Sequence, residues 1–274
     1  GTVYGFNDRM YIGNSGSLNP VSCSLGSTSA SCTNDGGIIR SNNNDPAGCS
    51  LNFTMCDGCS DWTDITPTNS KYRNYFSKVL SQLYDIIPAH RPVPAFAEFN
   101  GNLYMIRNAC TVNMVNPTCT PDPGYITGAC DDDQTCSAAG GDEVPQLWKC
   151  IPGANGTCEA DEWTLVAENA SSAKTNMGNG NNKLITLLVA NGSKLYIGYD
   201  NGTDGVEIFA TKDGITDPTS ETDFEQIGTS GLGGSSNTKQ IYSGISVMQG
   251  LDFFIYISAG DNGNPVNIFR NRNY

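Results

Sequence analysis

The chain has 274 residues, enough for one large all-β domain or two smaller domains with a substantial core. Its formal net charge of −13, from 28 acidic and 15 basic residues, disfavours nucleic acid and anionic membranes as partners, because both carry negative charge. The 31 glycines, 13 prolines and low charged fraction of 16% are typical of a chain with many turns and short strands. No apolar run reaches about 18 residues, so we predict no membrane span.

A hairpin signature recurs four times along the chain. The copies read FNDRMYIG at 6–13, FNGNLYMI at 99–106, ANGSKLYIG at 190–198 and, more loosely, MQGLDFFIYI at 248–257. Asn and Gly adopt the positive φ of a tight turn at low cost, and the flanking residues are apolar and aromatic. Each copy therefore predicts two antiparallel strands, which we call a and b.

Two further elements follow each hairpin. Predicted strand c reads GIIRS at 37–41, QLWKC at 146–150, EIFAT at 207–211 and NIFRN at 267–271. Predicted strand d carries an aromatic residue and reads DWTDI at 61–65, EWTLV at 162–166 and DFEQI at 223–227. Four antiparallel strands repeated along a chain form the blades of a β-propeller, since one blade alone buries too little surface. The alternative is a β-sandwich.

We therefore predict an all-β chain, a β-propeller or a large part of one. Its blades are expected at about 3–66, 95–167, 184–228 and 244–274. The fourth blade has a, b and c but no strand d, because the chain stops at Tyr274. We expect this blade to need a strand from further polypeptide or from another chain, because an open edge exposes unpaired backbone.

The turn TKDG at 211–214, followed by Phe224, is similar to the Asp-box turn with its later aromatic residue. With the repeated blades, the chain resembles the secreted bacterial propellers of the kelch and Asp-box type. The first two modules depart from that pattern, because SNNND at 41–45 and KCIPG at 149–153 lack the Asp-Gly pair. The resemblance implies a propeller fold and leaves the function open, since propellers host unrelated activities.

The eleven cysteines predict disulfide bonds in an oxidising compartment, because they lie in stretches rich in Gly, Asn and Ser. We expect local pairing of Cys23 with Cys32, Cys110 with Cys119, Cys130 with Cys136 and Cys150 with Cys158. Cys49, Cys56 and Cys59 have metal-like spacing, but no histidine lies nearby, so disulfides are favoured there too. An odd number leaves one thiol free or paired outside the chain. No signal-peptide pattern opens the sequence, so we expect the mature form of a secreted or cell-surface protein.

Long insertions decorate the first two predicted blades. The b–c loops at about 14–36 and 108–144 hold six of the cysteines. In propellers the b–c and d–a loops emerge on the same face, so these insertions are expected to share a face over blades one and two. The d–a connection at 71–87 (KYRNYFSKVLSQLYDII) has apolar residues at helical spacing and predicts a helix. That helix would either cap a blade edge or bind a partner.

Few residues indicate catalysis. His90 is the only histidine, so a Ser-His-Asp or Cys-His site would depend wholly on it, and it lies among prolines in a connector. Arg9, Arg40 and Arg107 could point inward to hold a substrate carboxylate, but nothing in their spacing requires it. Paired carboxylates of a glycosidase stay open as an alternative among the 28 acids. We therefore predict no catalytic residue and a protein that is not an enzyme.

Calcium is the cofactor that the sequence favours. The loop DNGTDG at 200–205 partly matches a calcium loop, with Gly where the middle acid belongs, which makes Asp200 and Asp204 the candidate ligands. DDD at 131–133 and DNGN at 261–264 are looser candidates. The alternative in each case is a solvated turn.

Taken together, these patterns predict a secreted or cell-surface propeller that acts as a binding or adhesion module for a glycan or a surface protein, with no binding residue identified. The alternative is a structural subunit of an extracellular filament or surface assembly, in which the partners are copies of the chain itself. A glycoside-acting hydrolase is the third hypothesis.

Overall fold

A computed structural model shows an all-β chain. It describes residues 2–13, 38–44, 46, 61–65, 86–87, 93–111, 143–167, 176–234, 236–250, 252–261 and 266–273. The chain contacts define two compact units. Unit one comprises Gly1–Pro94, Asn108–Glu143 and Cys150–Thr164, and unit two comprises Ala95–Arg107, Val144–Lys149 and Leu165–Tyr274. Within the described ranges, no helix has the length and apolar character needed to cross a bilayer.

The first two sheets contain nine strands. The first sheet has the order β1 (Thr2–Phe6), β2 (Arg9–Gly13), β3 (Ile38–Ser41) and β4 (Trp62–Asp64), all antiparallel. The second contains β5 (Ile86–Ile87), β6 (Ala95–Phe99), β7 (Asn102–Thr111), β8 (Glu143–Cys150) and β9 (Trp163–Ala167). Strands β5 and β6 pair with successive parts of β7. Ile86 and Ile87, at the end of the predicted helical connector, are thus a short strand, and the remainder of that connector lies outside the described residues.

The other two sheets contain seven strands. The third sheet has the order β10 (Leu184–Asn191), β11 (Lys194–Asp200), β12 (Glu207–Thr211) and β13 (Phe224–Gln226). The fourth has the order β14 (Gln240–Gln249), β15 (Asp252–Gly260) and β16 (Asn267–Asn273). The predicted fold class is therefore confirmed: an all-β propeller chain with about four antiparallel sheets and only three strands in the last one. The bounds of the blades stay a prediction. Whether the chain needs a further strand stays a prediction.

The hairpin turns follow from their residues. Asn7 and Asp8 have φ of 48° and 58°, and Asn100 and Gly101 have φ of 49° and 79°. Two successive positive φ values define the turn that matches the right-handed twist of the flanking strands, and Asn, Asp and Gly tolerate that region best. These turns therefore set the register of the first two hairpins, with Phe6 opposite Arg9 in the first and Phe99 opposite Asn102 in the second.

The central strand β11 is buried on both faces. Leu195, Ile197 and Tyr199 belong to a core cluster shared by the second and third sheets. Tyr196, between them, belongs to a second cluster shared by the third and fourth sheets. Side chains alternate between the two faces of a strand. The third sheet therefore packs against the second sheet on one face and against the fourth sheet on the other.

A glycine allows the third and fourth sheets to approach. A Cβ atom added at Gly198 would lie 2.7 Å from Cδ1 of Ile241 and 2.9 Å from Cβ of Leu187. Both neighbours are buried. The space beside Gly198 is therefore already filled by side chains that cannot move into solvent.

A polar contact between the strands of a sheet and an acidic turn occurs in two places, and we call it the acidic-turn contact. In unit one, Arg40 on β3 donates to the carbonyl of Cys158 at 3.2 Å and pairs with the carboxylate of Glu159. The amide of Cys158 donates to the hydroxyl of Tyr11 on β2 at 3.2 Å. Burial raises the pKa of Glu159, but hydrogen bonds from Arg40 and Thr157 outweigh it and hold that pKa below its ordinary value.

The second acidic-turn contact lies in unit two and involves the loop between β12 and β13. Lys149 on β8 donates to Asp217 at 2.9 Å and to the carbonyl of Pro218 at 3.3 Å. The hydroxyl of Tyr104 on β7 lies 3.5 Å from the same carboxylate. The turn residue Asn100 donates to Thr216, as Asn7 donates to Gly156 in unit one. A tyrosine, a cation and a turn asparagine thus hold an acidic turn in both places.

We expect Gly198→Ala to destabilise the protein by about 1–3 kcal/mol, because the added methyl group overpacks a filled space between two sheets. Urea unfolding monitored by far-UV circular dichroism measures the change. Gly202→Ala is the matched control, since a Cβ atom there meets nothing within 4 Å. Equal stability of the two variants would contradict the packing of Ile241 and Leu187 around Gly198.

Candidate functional site

The two predicted metal residues flank one loop. Asp200 is the last residue of β11, and Asp204 lies in the loop 201–206 that leads to β12, which we call the β11–β12 loop. The side-chain oxygen of buried Asn201 accepts hydrogen bonds from the backbone amides of Thr203 and Asp204, at 3.0 and 2.8 Å. This turn fixes where the Asp204 carboxylate stands.

Three asparagine side chains converge on Asp204. The amide nitrogens of Asn179 and Asn181 each lie 3.0 Å from its Oδ2, and that of Asn201 lies at 3.4 Å. Hydrogen bonds from Asn181 and Asn179 hold the pKa of Asp204 below its ordinary value of 3.8. Asp204 is therefore ionised at neutral pH and lies at the surface.

A second carboxylate, buried Glu207, adjoins the first. Glu207 begins β12, and its two oxygens accept from Asn179 at 3.0 Å, from Ser230 at 2.8 Å and from Asn182 at 2.8 Å. Asn179 donates to both Asp204 and Glu207. Neutral donors, and no basic side chain of the described residues, satisfy Glu207.

We call these residues the asparagine–carboxylate cluster. Its members are Asn179, Asn181, Asn182, Asn201, Asp204, Glu207 and Ser230. Glu207 is not among the predicted site residues, because EIFAT at 207–211 predicts only a strand. The available signals were an acid at the start of an otherwise apolar strand and the dense run of asparagines at 179–182.

Asp200 occupies a different environment from Asp204. Its Oδ1 accepts from the hydroxyl of Thr186 at 2.9 Å and from the amide of Ile241 at 2.8 Å. Burial nevertheless raises the pKa of Asp200 above 3.8. One short loop thus joins two carboxyl groups whose pKa values move in opposite directions, the pattern that acid–base sites use.

The calcium hypothesis stays a prediction. Asp200 and Asp204 come close in the chain, but they accept hydrogen bonds from separate sets of donors. Among the residues that the structure describes, no three His, Cys, Asp or Glu side chains form a metal-binding group. The looser candidate at 131–133 lies outside those residues, and Asp261 pairs with Lys239 at 3.4 Å.

The other candidate residues have mixed outcomes. The disulfide between Cys150 and Cys158 is confirmed. Cys110 lies in β7, and the remaining cysteines and His90 lie outside the described residues. Two of the three arginines that could point inward, Arg40 and Arg107, are buried, and Arg40 serves the first acidic-turn contact.

Comparisons with known proteins give only distant structural matches. No family model and no curated protein matches the sequence. An exo-1,5-alpha-L-arabinanase from a bovine ruminal metagenomic library matches at 11% identity and a TM-score of 0.30, over 98% of this chain and 91% of that one. An alpha-L-arabinofuranosidase from Lactobacillus brevis matches at 9% identity and a TM-score of 0.31, over 86% of this chain and 61% of that one.

A full-length beta-fructofuranosidase from Microbacterium saccharophilum K-1 matches at 10% identity and a TM-score of 0.36, over 86% of this chain and 48% of that one. The prediction that the chain is not an enzyme is contradicted by these matches, because all three are named as enzymes that act on carbohydrate. At such identities they assign no substrate to this chain, and they do not show the kelch or Asp-box type.

We expect the two acids of the β11–β12 loop to titrate on opposite sides of pH 3.8. Carbon-13 NMR of the carboxyl groups should give a midpoint above that value for Asp200 and below it for Asp204. Thr186→Val should move the Asp200 midpoint further up, because it removes a hydrogen bond that stabilises the ionised form. The Asp204 midpoint serves as the internal control, and coincident midpoints would contradict the loop geometry.

Proposed function

We propose that this chain is a secreted carbohydrate-binding propeller in which the asparagine–carboxylate cluster binds sugar hydroxyl groups. The observation that supports it most is the Asp204 carboxylate, which is held by the amides of Asn179 and Asn181, all three residues being partly exposed. A sugar hydroxyl both donates and accepts hydrogen bonds. Carboxylate and amide groups held in fixed positions match that requirement.

An exposed aromatic residue follows directly a residue that is hydrogen-bonded to Asp200, at the start of the loop. Tyr242 is 48% exposed, and it follows Ile241, whose backbone amide donates to Asp200. The apolar face of a tyrosine ring suits the C–H face of a sugar, and its hydroxyl stays in water. Polar groups that orient a ligand and an aromatic ring that covers it are the usual parts of such a site.

A disulfide bond supports the secreted location in this proposal. The bond between Cys150 and Cys158 closes part of the loop that carries Glu159 and the first acidic-turn contact. Disulfides of this kind persist in oxidising surroundings and are rare in reducing ones. This supports a secreted or cell-surface location, where glycans are abundant.

Glycan binding tests the proposal through Asp204. We expect a screen of immobilised glycans to identify a ligand whose affinity falls at least about tenfold in Asp204→Asn, the loss of roughly one charge-assisted hydrogen bond. Asp213→Asn is the matched control, because Asp213 is also a surface acid, and it pairs with Lys194 away from the cluster. Circular dichroism should be unchanged in both. Equal binding by the two variants would remove Asp204 from the site.

A second candidate function is hydrolysis of a glycosidic bond, favoured by the opposite pKa shifts of the two loop acids. Asp200 would protonate the leaving oxygen, and Asp204 would take a proton from the water that attacks the anomeric carbon. A panel of nitrophenyl glycosides measures turnover. We expect Asp200→Asn and Asp204→Asn each to lower kcat at least about 100-fold, with Asp213→Asn unaffected. Glycan binding without turnover of any glycoside would contradict hydrolysis and leave carbohydrate binding as the function.

A further inference from the structure

The fourth sheet carries the same pair of side chains that forms the first acidic-turn contact. In the first sheet, Tyr11 on the second strand lies directly opposite Arg40 on the third. In the fourth sheet, Tyr256 on β15 lies directly opposite Arg270 on β16 in the same antiparallel arrangement. Strand neighbours in register point to the same face, so each pair presents an aromatic hydroxyl beside a cation.

These pairs differ in exposure. Tyr11 and Tyr104 are fully buried, and Arg40 and Lys149 are nearly so, because an acidic turn covers each pair. Arg270 is exposed and Tyr256 is only partly buried. The fourth sheet thus presents the elements of an acidic-turn contact, and no turn within the described part of the chain is seated on them.

Apolar residues surround the exposed pair. Ile245 lies directly opposite Tyr256 and is 60% exposed, and Ile268, two residues before Arg270 on the same face, is 74% exposed. In the third sheet the corresponding face, with Tyr196 and Ile208, is buried against the fourth sheet. We call Ile245, Tyr256, Ile268 and Arg270 the Tyr256–Arg270 face.

The cation on this face is already positioned. The guanidinium carbon of Arg270 lies 5.2 Å from the centre of the Phe254 ring. Among the described residues no carboxylate lies within ion-pairing distance of Arg270. A guanidinium held over an aromatic ring keeps its N–H donors available to a carboxylate. Because the ring already orders the arginine side chain, less conformational entropy is lost when a carboxylate binds.

We propose that the Tyr256–Arg270 face binds an acidic turn of a partner protein. The turn would place a carboxylate on Arg270, a neighbouring backbone group on the Tyr256 hydroxyl, and apolar side chains on Ile245 and Ile268. The same chemistry holds the two acidic turns of this chain, in which Glu159 pairs with Arg40 and Asp217 pairs with Lys149. Complementary charge supplies the selectivity for acidic over basic turns. The inference is independent of the carbohydrate-binding proposal.

A peptide from the chain itself is a suitable probe. Residues 150–162, closed by the bond between Cys150 and Cys158, contain the turn that covers Tyr11 and Arg40. We expect this cyclic peptide, added to the full nitrogen-15-labelled chain, to cause saturable shifts of the amide signals of β15 and β16 at millimolar concentrations. Arg270→Glu should weaken that binding at least about tenfold, and Lys183→Glu, an exposed cation elsewhere in unit two, should leave it within about twofold.

A charge exchange completes the test. The same peptide with Glu159→Lys should bind Arg270→Glu better than it binds the unchanged chain. Absence of saturable shifts at millimolar peptide, or binding that is indifferent to Arg270→Glu, would overturn the proposal. Self-association of the chain in light scattering that Arg270→Glu removes would make a second copy the occupant and overturn the assignment to a partner protein.

Discussion

The structure depends on central strands that no single sheet can bury. In β11 every residue from Lys194 to Tyr199 is buried, with successive side chains in two different cores. Each core needs a second sheet, and so the third sheet packs against the second on one face and against the fourth on the other. At Gly198 the third and fourth sheets approach so closely that the neighbouring side chains leave no room for a methyl group.

The acidic-turn contacts solve a different problem, namely how to hold irregular loops against sheets. Arg40 and Lys149 are buried cations, which are costly unless each has a charged partner and its hydrogen bonds are made. Glu159 and Asp217 supply the charge, and backbone groups of the same turns supply further hydrogen bonds. Arg270, which lies opposite Tyr256 in the same arrangement, is exposed and lies over the ring of Phe254.

The asparagine–carboxylate cluster lies next to the end of strand β11. Beyond the last residue of β11, asparagine amides rather than cations satisfy the carboxylates of Asp204 and Glu207. The expectation of a protein without enzymatic activity rests on the single histidine, His90, and on arginines whose spacing requires no site, with paired carboxylates left open. Carboxylate chemistry needs two acids brought together in space, and a count of residues does not report which acids meet.

The sequence by itself determined the repeat, the strand order and the hairpin turns, because turn signals such as Asn7-Asp8 and Asn100-Gly101 and the alternation of apolar residues act locally. It also identified the bond between Cys150 and Cys158 from their short separation. Only the tertiary structure decided that Asn179, Glu207 and Ser230 meet, and that Tyr11 and Arg40 receive a turn from a distant part of the chain. Those contacts join residues that are far apart in sequence. Loop sequences have no hydrophobic periodicity, so the sequence pattern does not predict which loop residues come together.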